Sequence, residues 1–196
     1  MSGVFYFFSV SHHRLIDQPR AATYQIVLSI WSMLTLYAIL HDQYIVWIAP
    51  EHFTLYHEPL GDLENPALIA TVYAIRAVLG PGFFWGLAAA FFALSGTRPL
   101  MPVRLVLLSA LVAIICIEVI SALSGLYVWR SGRLVYPPSF YPDDESLVLV
   151  TQTIQVSCYL AGSAGAVMHV VWIGWWRRRK DGFRPDSEKD YEKEKE

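Results

Sequence analysis

Three ionisable side chains, Arg76, Glu118 and His169, interrupt long apolar stretches of this 196-residue chain. A charge placed in hydrocarbon costs about 3 kcal/mol on insertion scales, so such a group faces the interior of a helical bundle and finds a partner there. Arg76 lies nine residues from one end of its stretch, and Glu118 ten residues from the same end of the next. At the helical rise per residue, both sit roughly 14–15 Å below one surface. Equal depth predicts a salt bridge between Arg76 and Glu118. Gln152, Gln155, Tyr159, Gly162, Ala166 and His169 recur at helical spacing and draw one stripe along a helix. Glu118, Ser121 and Gly125 draw a second, and Gln25, Ser29, Ser32 and Thr35 a third. These stripes are expected to face one another. The expected ligand-binding set is Arg76, Glu118, Gln152, Gln155, Tyr73 and Tyr159, with Glu118 the one candidate general acid or base. A pair that only fixes helix register is the alternative. His169 reads as a packing histidine, with a proton path to Glu118 as its other role.

The segment 41–66 carries His41, Asp42, Glu51, His52, His57 and Glu58. His52, His57 and Glu58 are metal-ligand types, but EHFTLYHE has no zinc spacing, so no metal site is expected. Asp42 can turn down into the bundle. Cys116 and Cys158 lie in apolar runs, which predicts small buried hydrophobes and no disulfide framework. No lysine lies in an apolar stretch, which removes a retinal-type Schiff base. No two histidines are matched in depth for a membrane haem. No phosphate-cradling glycine loop or nucleophile elbow appears, and no cofactor is implied.

The elements that must position these residues follow from composition. Apolar residues make up 55% of the chain and charged ones only 16%, with a mean hydropathy of +0.38. All four lysines, Lys180, Lys189, Lys193 and Lys195, fall in the tail. The remaining body is poor enough in charge for lipid, and the net charge of −2 points to no nucleic-acid partner. Four stretches have the roughly 20 residues a bilayer crossing needs, at about 22–40 (with an extension to 48 open), 67–94, 103–128 and 147–176. Tyr24, Trp47, Trp129, Trp172, Trp175 and Trp176 flank them as interface aromatics. The expected fold is all-α, an antiparallel four-helix transmembrane bundle. Arg14, Arg20, Arg98, Arg104 and the run Arg177, Arg178, Arg179 share one side against Arg130 and Arg133 on the other. The positive-inside rule then puts both termini in the cytoplasm, with outer loops 41–66 and 129–146. Residues 1–21 are expected at the cytoplasmic interface, with no cleaved signal, since Arg14 and Arg20 follow the apolar run. Asp143, Asp144 and Glu145 suit the N-terminus of the fourth helix. Residues 177–196 are expected as a disordered charged tail. Gly80, Pro81 and Gly82 predict a kink or break in the second span.

Four spans, cytoplasmic termini, a long first outer loop, a proline in the second span and a basic exit from the fourth resemble the EXPERA-domain family in layout. That resemblance implies sterol-isomerase or sterol- and drug-binding activity. The family tends to carry a carboxylate shortly before the second-span proline. Here Arg76 occupies that neighbourhood, so Glu118 would supply the acid. The expected function is binding or moving a hydrophobic or amphipathic ligand between the helices. The alternatives are a membrane-embedded lipid-modifying, isomerase-like enzyme using Glu118, and an assembly subunit of a membrane complex. The expected partners are a membrane lipid or small hydrophobic ligand, with a membrane-protein partner or a second copy for the assembly role.

Overall fold

The computed structural model describes residues 19–142 and 147–182. The expected interfacial segment, the acids Asp143, Asp144 and Glu145, and the tail beyond 182 lie outside these. Among the described residues the chain is helical without strands. Its elements are α1 (Pro19–Ile48), the one-turn α2 (Glu51–Thr54), α3 (Pro66–Leu94), α4 (Val103–Ser131), a 3-10 turn (Pro138–Phe140) and α5 (Val148–Gly182). α1, α3, α4 and α5 are long and apolar enough to cross a membrane, which marks an integral multi-pass membrane protein. Even the shortest, 29 residues, reaches about 43 Å.

Local chemistry sets the ends. Asn65 caps α3 by accepting from the backbone N–H groups of Ala67 and Leu68, with Pro66 in the first turn, where a missing N–H costs nothing. α4 starts after Pro102 and stops at Gly132, whose left-handed φ of 64° turns its N–H onto the Val128 carbonyl. α3 runs unbroken through Pro81, against the expected break. Proline there still removes the N–H that the Ala77 carbonyl would accept.

α1 packs along α3 and α4 along α5, while smaller contacts join α1 to α4 and α3 to α5. α3 and α4, neighbours in sequence, scarcely meet. Around the bundle the order is therefore α1, α3, α5, α4. Two close approaches hold the pairs. A Cβ on Gly86 would fall 2.9 Å from the Val27 backbone, and one on Gly125 2.3 Å from Ile154. The core contains Ile26, Ile30, Ala89, Val106, Ala110 and Ile173. Leu28, Phe84, Phe91, Val167 and Met168 turn outward and exposed, the arrangement a lipid solvent favours.

Two boundaries differ from expectation. α1 continues to Ile48, which moves His41 and Asp42 from a loop into a helix. α5 continues to Gly182, and its Arg177 is buried, not part of a charged tail. Arg177 donates to the carbonyls of Pro99 (2.9 Å), Phe92 (2.6 Å) and Arg98 (2.8 Å). It thereby ties the diagonal α3–α4 crossover to α5. At the opposite end, the end of the long loops, Phe53 and His52 of α2 are buried against the bundle. Tyr136 and Tyr141 fold the second connection onto Ser157 and Thr153 of α5, at 2.7 and 3.0 Å.

Candidate functional site

The Arg76–Glu118 pair does not form. Glu118 accepts instead from His41 Nδ1 at 2.8 Å. The physical reason is the diagonal placement of α3 and α4: equal depth does not bring their side chains together when α1 and α5 lie between. Arg76 is exposed, with its guanidinium 6.0 Å from the centre of the Tyr73 ring.

The carboxylate sits in a cluster built mainly by α1. Tyr37, His41 and Tyr44 follow at spacings of four and three, so they share one helix face. Their hydroxyls lie 3.4 and 3.2 Å from His41 Nδ1. Cys158 of α5 completes the group, its Sγ 3.3 Å from the Tyr37 hydroxyl. An ionised carboxylate only accepts, so Nδ1 carries a proton towards it, and Nε2 is an acceptor in the neutral ring and a donor in the imidazolium. The His41 side chain is 1% exposed, and Nε2 has no partner.

His41 lines a cavity of about 190 Å³ between α1, α3 and α5. Asp42, Gln155 and Tyr159 share its polar level, and Leu34, Val78, Pro81, Trp85, Gly162 and Ala166 form its apolar depth. Chain direction orders these layers. α1 climbs from Leu34 to Asp42 towards the long-loop end, while α3 and α5 descend from that end past Ala77 and Gln155 to Trp85 and Ala166. Gln155 donates through Nε2 to the Tyr159 hydroxyl at 2.7 Å. Its Oε1 is left buried without a partner. A buried polar atom without a partner costs about 1–3 kcal/mol. Two such atoms on one cavity wall are a standing demand for hydrogen-bond partners.

Of the expected stripe, Gln155, Tyr159, Gly162 and Ala166 line the cavity. Gln152 instead donates to the Phe140 carbonyl at 3.0 Å. On α1, Gln25 and Ser32 are exposed, so the expected polar face points outward and the inward one carries Ile26, Ile30, Tyr37 and His41. Tyr73 donates to the Glu58 carbonyl at the cavity mouth. Histidine 169 is a fixed strut. Trp85 Nε1–H donates to its Nδ1 at 3.0 Å, so its Nε2–H donates to Ser109 Oγ at 2.9 Å. The Ser109 proton in turn goes to the Leu105 or Val106 carbonyl. That tautomer ties α3, α4 and α5 and leaves His169 no capacity as a base towards Ser109.

In the loop, His52 Nδ1–H donates to Thr151 Oγ1 at 3.1 Å, because that hydroxyl gives its own proton to Val148. Burial, then the neighbouring His57 and His41, push His52 down to about 4. His57 Nδ1–H donates to the His52 carbonyl at 2.9 Å. Among the described residues no group of three or more His, Cys, Asp or Glu is arranged to hold a metal, and Glu58 enters through its backbone alone.

The residues missed as a set were Tyr37, Tyr44 and Cys158. The Tyr–His–Tyr spacing over 37–44 is the available signal, and it straddles the end of the 22–40 stretch. No protein-family model, curated protein or solved structure matches this chain.

Proposed function

We propose that this chain is an integral membrane protein, both termini cytoplasmic, that binds an amphipathic ligand in the cavity between α1, α3 and α5. The ligand's polar group meets His41, Asp42, Gln155 and Tyr159, and its apolar part points towards Pro81 and Trp85. One observation carries the reading: two buried polar atoms without partners, His41 Nε2 and Gln155 Oε1, belong to residues lining a single, largely apolar cavity. Sites of this composition, apolar walls with a few convergent polar groups, are the usual form of small-molecule sites. The volume exceeds the roughly 150 Å³ that admits benzene, so the chamber takes one narrow chain or ring.

Gly162 supplies the test, since a Cβ there meets nothing within 4 Å and a larger side chain grows into the chamber. Purified protein in mild detergent is expected to bind a medium-chain fatty alcohol saturably, and Gly162→Leu to lose that binding with its melting temperature retained. Equal binding by the variant would remove the proposal.

A second reading is favoured by the Glu118–His41 geometry. A carboxylate that orients an imidazole, with Nε2 facing a chamber, is a general-base arrangement. In a lipid-modifying enzyme, His41 takes a proton from the ligand's hydroxyl and Glu118 holds the resulting imidazolium. Glu118→Gln then abolishes turnover and leaves ligand affinity within about threefold, less than the tenfold that 1.4 kcal/mol represents. A pure binder shows no chemical change in the ligand with either chain.

A further inference from the structure

The mouth of the chamber holds a permanent positive charge. Arg76, one turn past Tyr73 on α3, lines a hollow of about 360 Å³ with Asp42, Phe53, His57, Gln155 and Tyr159. Asp42, Ala77, Gln155 and Tyr159 also line the inner chamber, so the two spaces share a wall. A guanidinium cannot shed its charge in a protein, and within a membrane span an anion is its strongest partner. Neither nearby acid supplies one. Glu118 is committed to His41, and Asp42, although part of the same hollow, forms no ion pair with Arg76 among the described residues.

From the mouth inward, a ligand therefore meets three chemistries in order: a cation at Arg76, a layer of acceptors at Asp42 and Gln155 beside His41, then an apolar pit. Resting on the ligand-binding reading proposed for the cavity, we infer that the ligand is a single-chain amphiphile with an anionic head and a hydroxyl close behind it. The head, a phosphate or carboxylate, is held by the Arg76 fork, whose paired N–H groups match such oxyanions. The hydroxyl donates to the acceptor layer. One chain enters the pit, which is too narrow for two.

The experiment compares probes of matched chain length on the full protein by native mass spectrometry in mild detergent. Lysophosphatidic acid carries both features, an alkyl phosphate only the anion, monoacylglycerol only hydroxyls, and an alkyltrimethylammonium neither. Lysophosphatidic acid is expected to bind at least about tenfold more tightly than each of the others, one charge-assisted or acceptor contact being worth about that factor. Arg76→Gln is expected to bring it to the level of monoacylglycerol while monoacylglycerol binding stays unchanged. Asp42→Asn is expected to narrow its advantage over the alkyl phosphate. The inference is overturned by a phosphate preference that survives Arg76→Gln, or by tighter binding of the ammonium probe. It is also overturned by a preference that survives Gly162→Leu, the mark of a head adsorbed outside the chamber. Displacement by inorganic phosphate would identify the anion as a free one and overturn the amphiphile. Failure of all four probes to bind would remove the cavity reading itself, whereas equal binding of all four removes only the head group assigned here.

Discussion

The two buried histidines of the spans differ in which ring nitrogen is occupied, and that decides what each can do. His169 is bonded at both nitrogens, by Trp85 and to Ser109, and is spent on packing. His41 is bonded at Nδ1 alone, which leaves Nε2 for a ligand. The third buried histidine, His52, belongs to the loop and contributes a pH dependence of its own. Its folded pKa of about 4 lies below the ordinary 6.5, so the unfolded chain binds the extra proton between these values. Stability from neutral His52 is present above pH 6.5 and is lost as pH falls through the window to 4, by about 3 kcal/mol in all. Melting measured from pH 7 to pH 4.5 should fall in wild type and fall clearly less in His52→Gln. Identical slopes would mean that His52 is charged, or solvated, in the folded protein.

Among the elements, the four long helices were legible because hydropathy and length are local properties of the sequence, and a bilayer demands both. Their pairing was not. The depth of Arg76 and Glu118 was read from position along each span, but rotation and neighbour order depend on side chains from other helices. Small residues at close approaches carry that information only in three dimensions. Gly86 and Gly80 make the point: a Cβ at Gly86 strikes the Val27 backbone at 2.9 Å, whereas at Gly80 it meets nothing within 4 Å. Gly86→Ala is expected to destabilise the α1–α3 pair by about 1–3 kcal/mol, the usual range for overpacking. Gly80→Ala is expected to be neutral or stabilising by up to about 1 kcal/mol, as alanine is the better helix former. Unfolding in graded denaturing detergent compares the two, and equal loss would contradict the packing described. The stripe over Gln155–Ala166 is legible for the same local reason as the helices, whereas the cluster around His41 straddles residue 40 and so divides between a span and a loop.

At the scale of the whole molecule, the side chain that secures the arrangement is Arg177, which looked like one of several cytoplasmic charges. Its three carbonyl contacts are charge-assisted and buried, so Arg177→Ala should cost about 3 kcal/mol, and Arg177→Lys, with one point charge for a planar fork, somewhat less. Thermal unfolding followed by tryptophan fluorescence measures both. An unchanged midpoint for the alanine variant would mean that the crossover holds itself.

The crossover has a consequence for how the protein is made. A chain delivered to the bilayer one helix at a time offers α4 almost no surface on α3, its predecessor. The early product is the α1–α3 hairpin, and α4 waits for α5 before it gains its main neighbour. The chamber, walled by α1 and α3 on one side and chiefly by α5 on the other, closes only when synthesis is nearly complete. Two separately produced halves, divided in the 95–102 connection, should therefore rejoin in the membrane, and the fatty alcohol should bind the mixture and neither half alone.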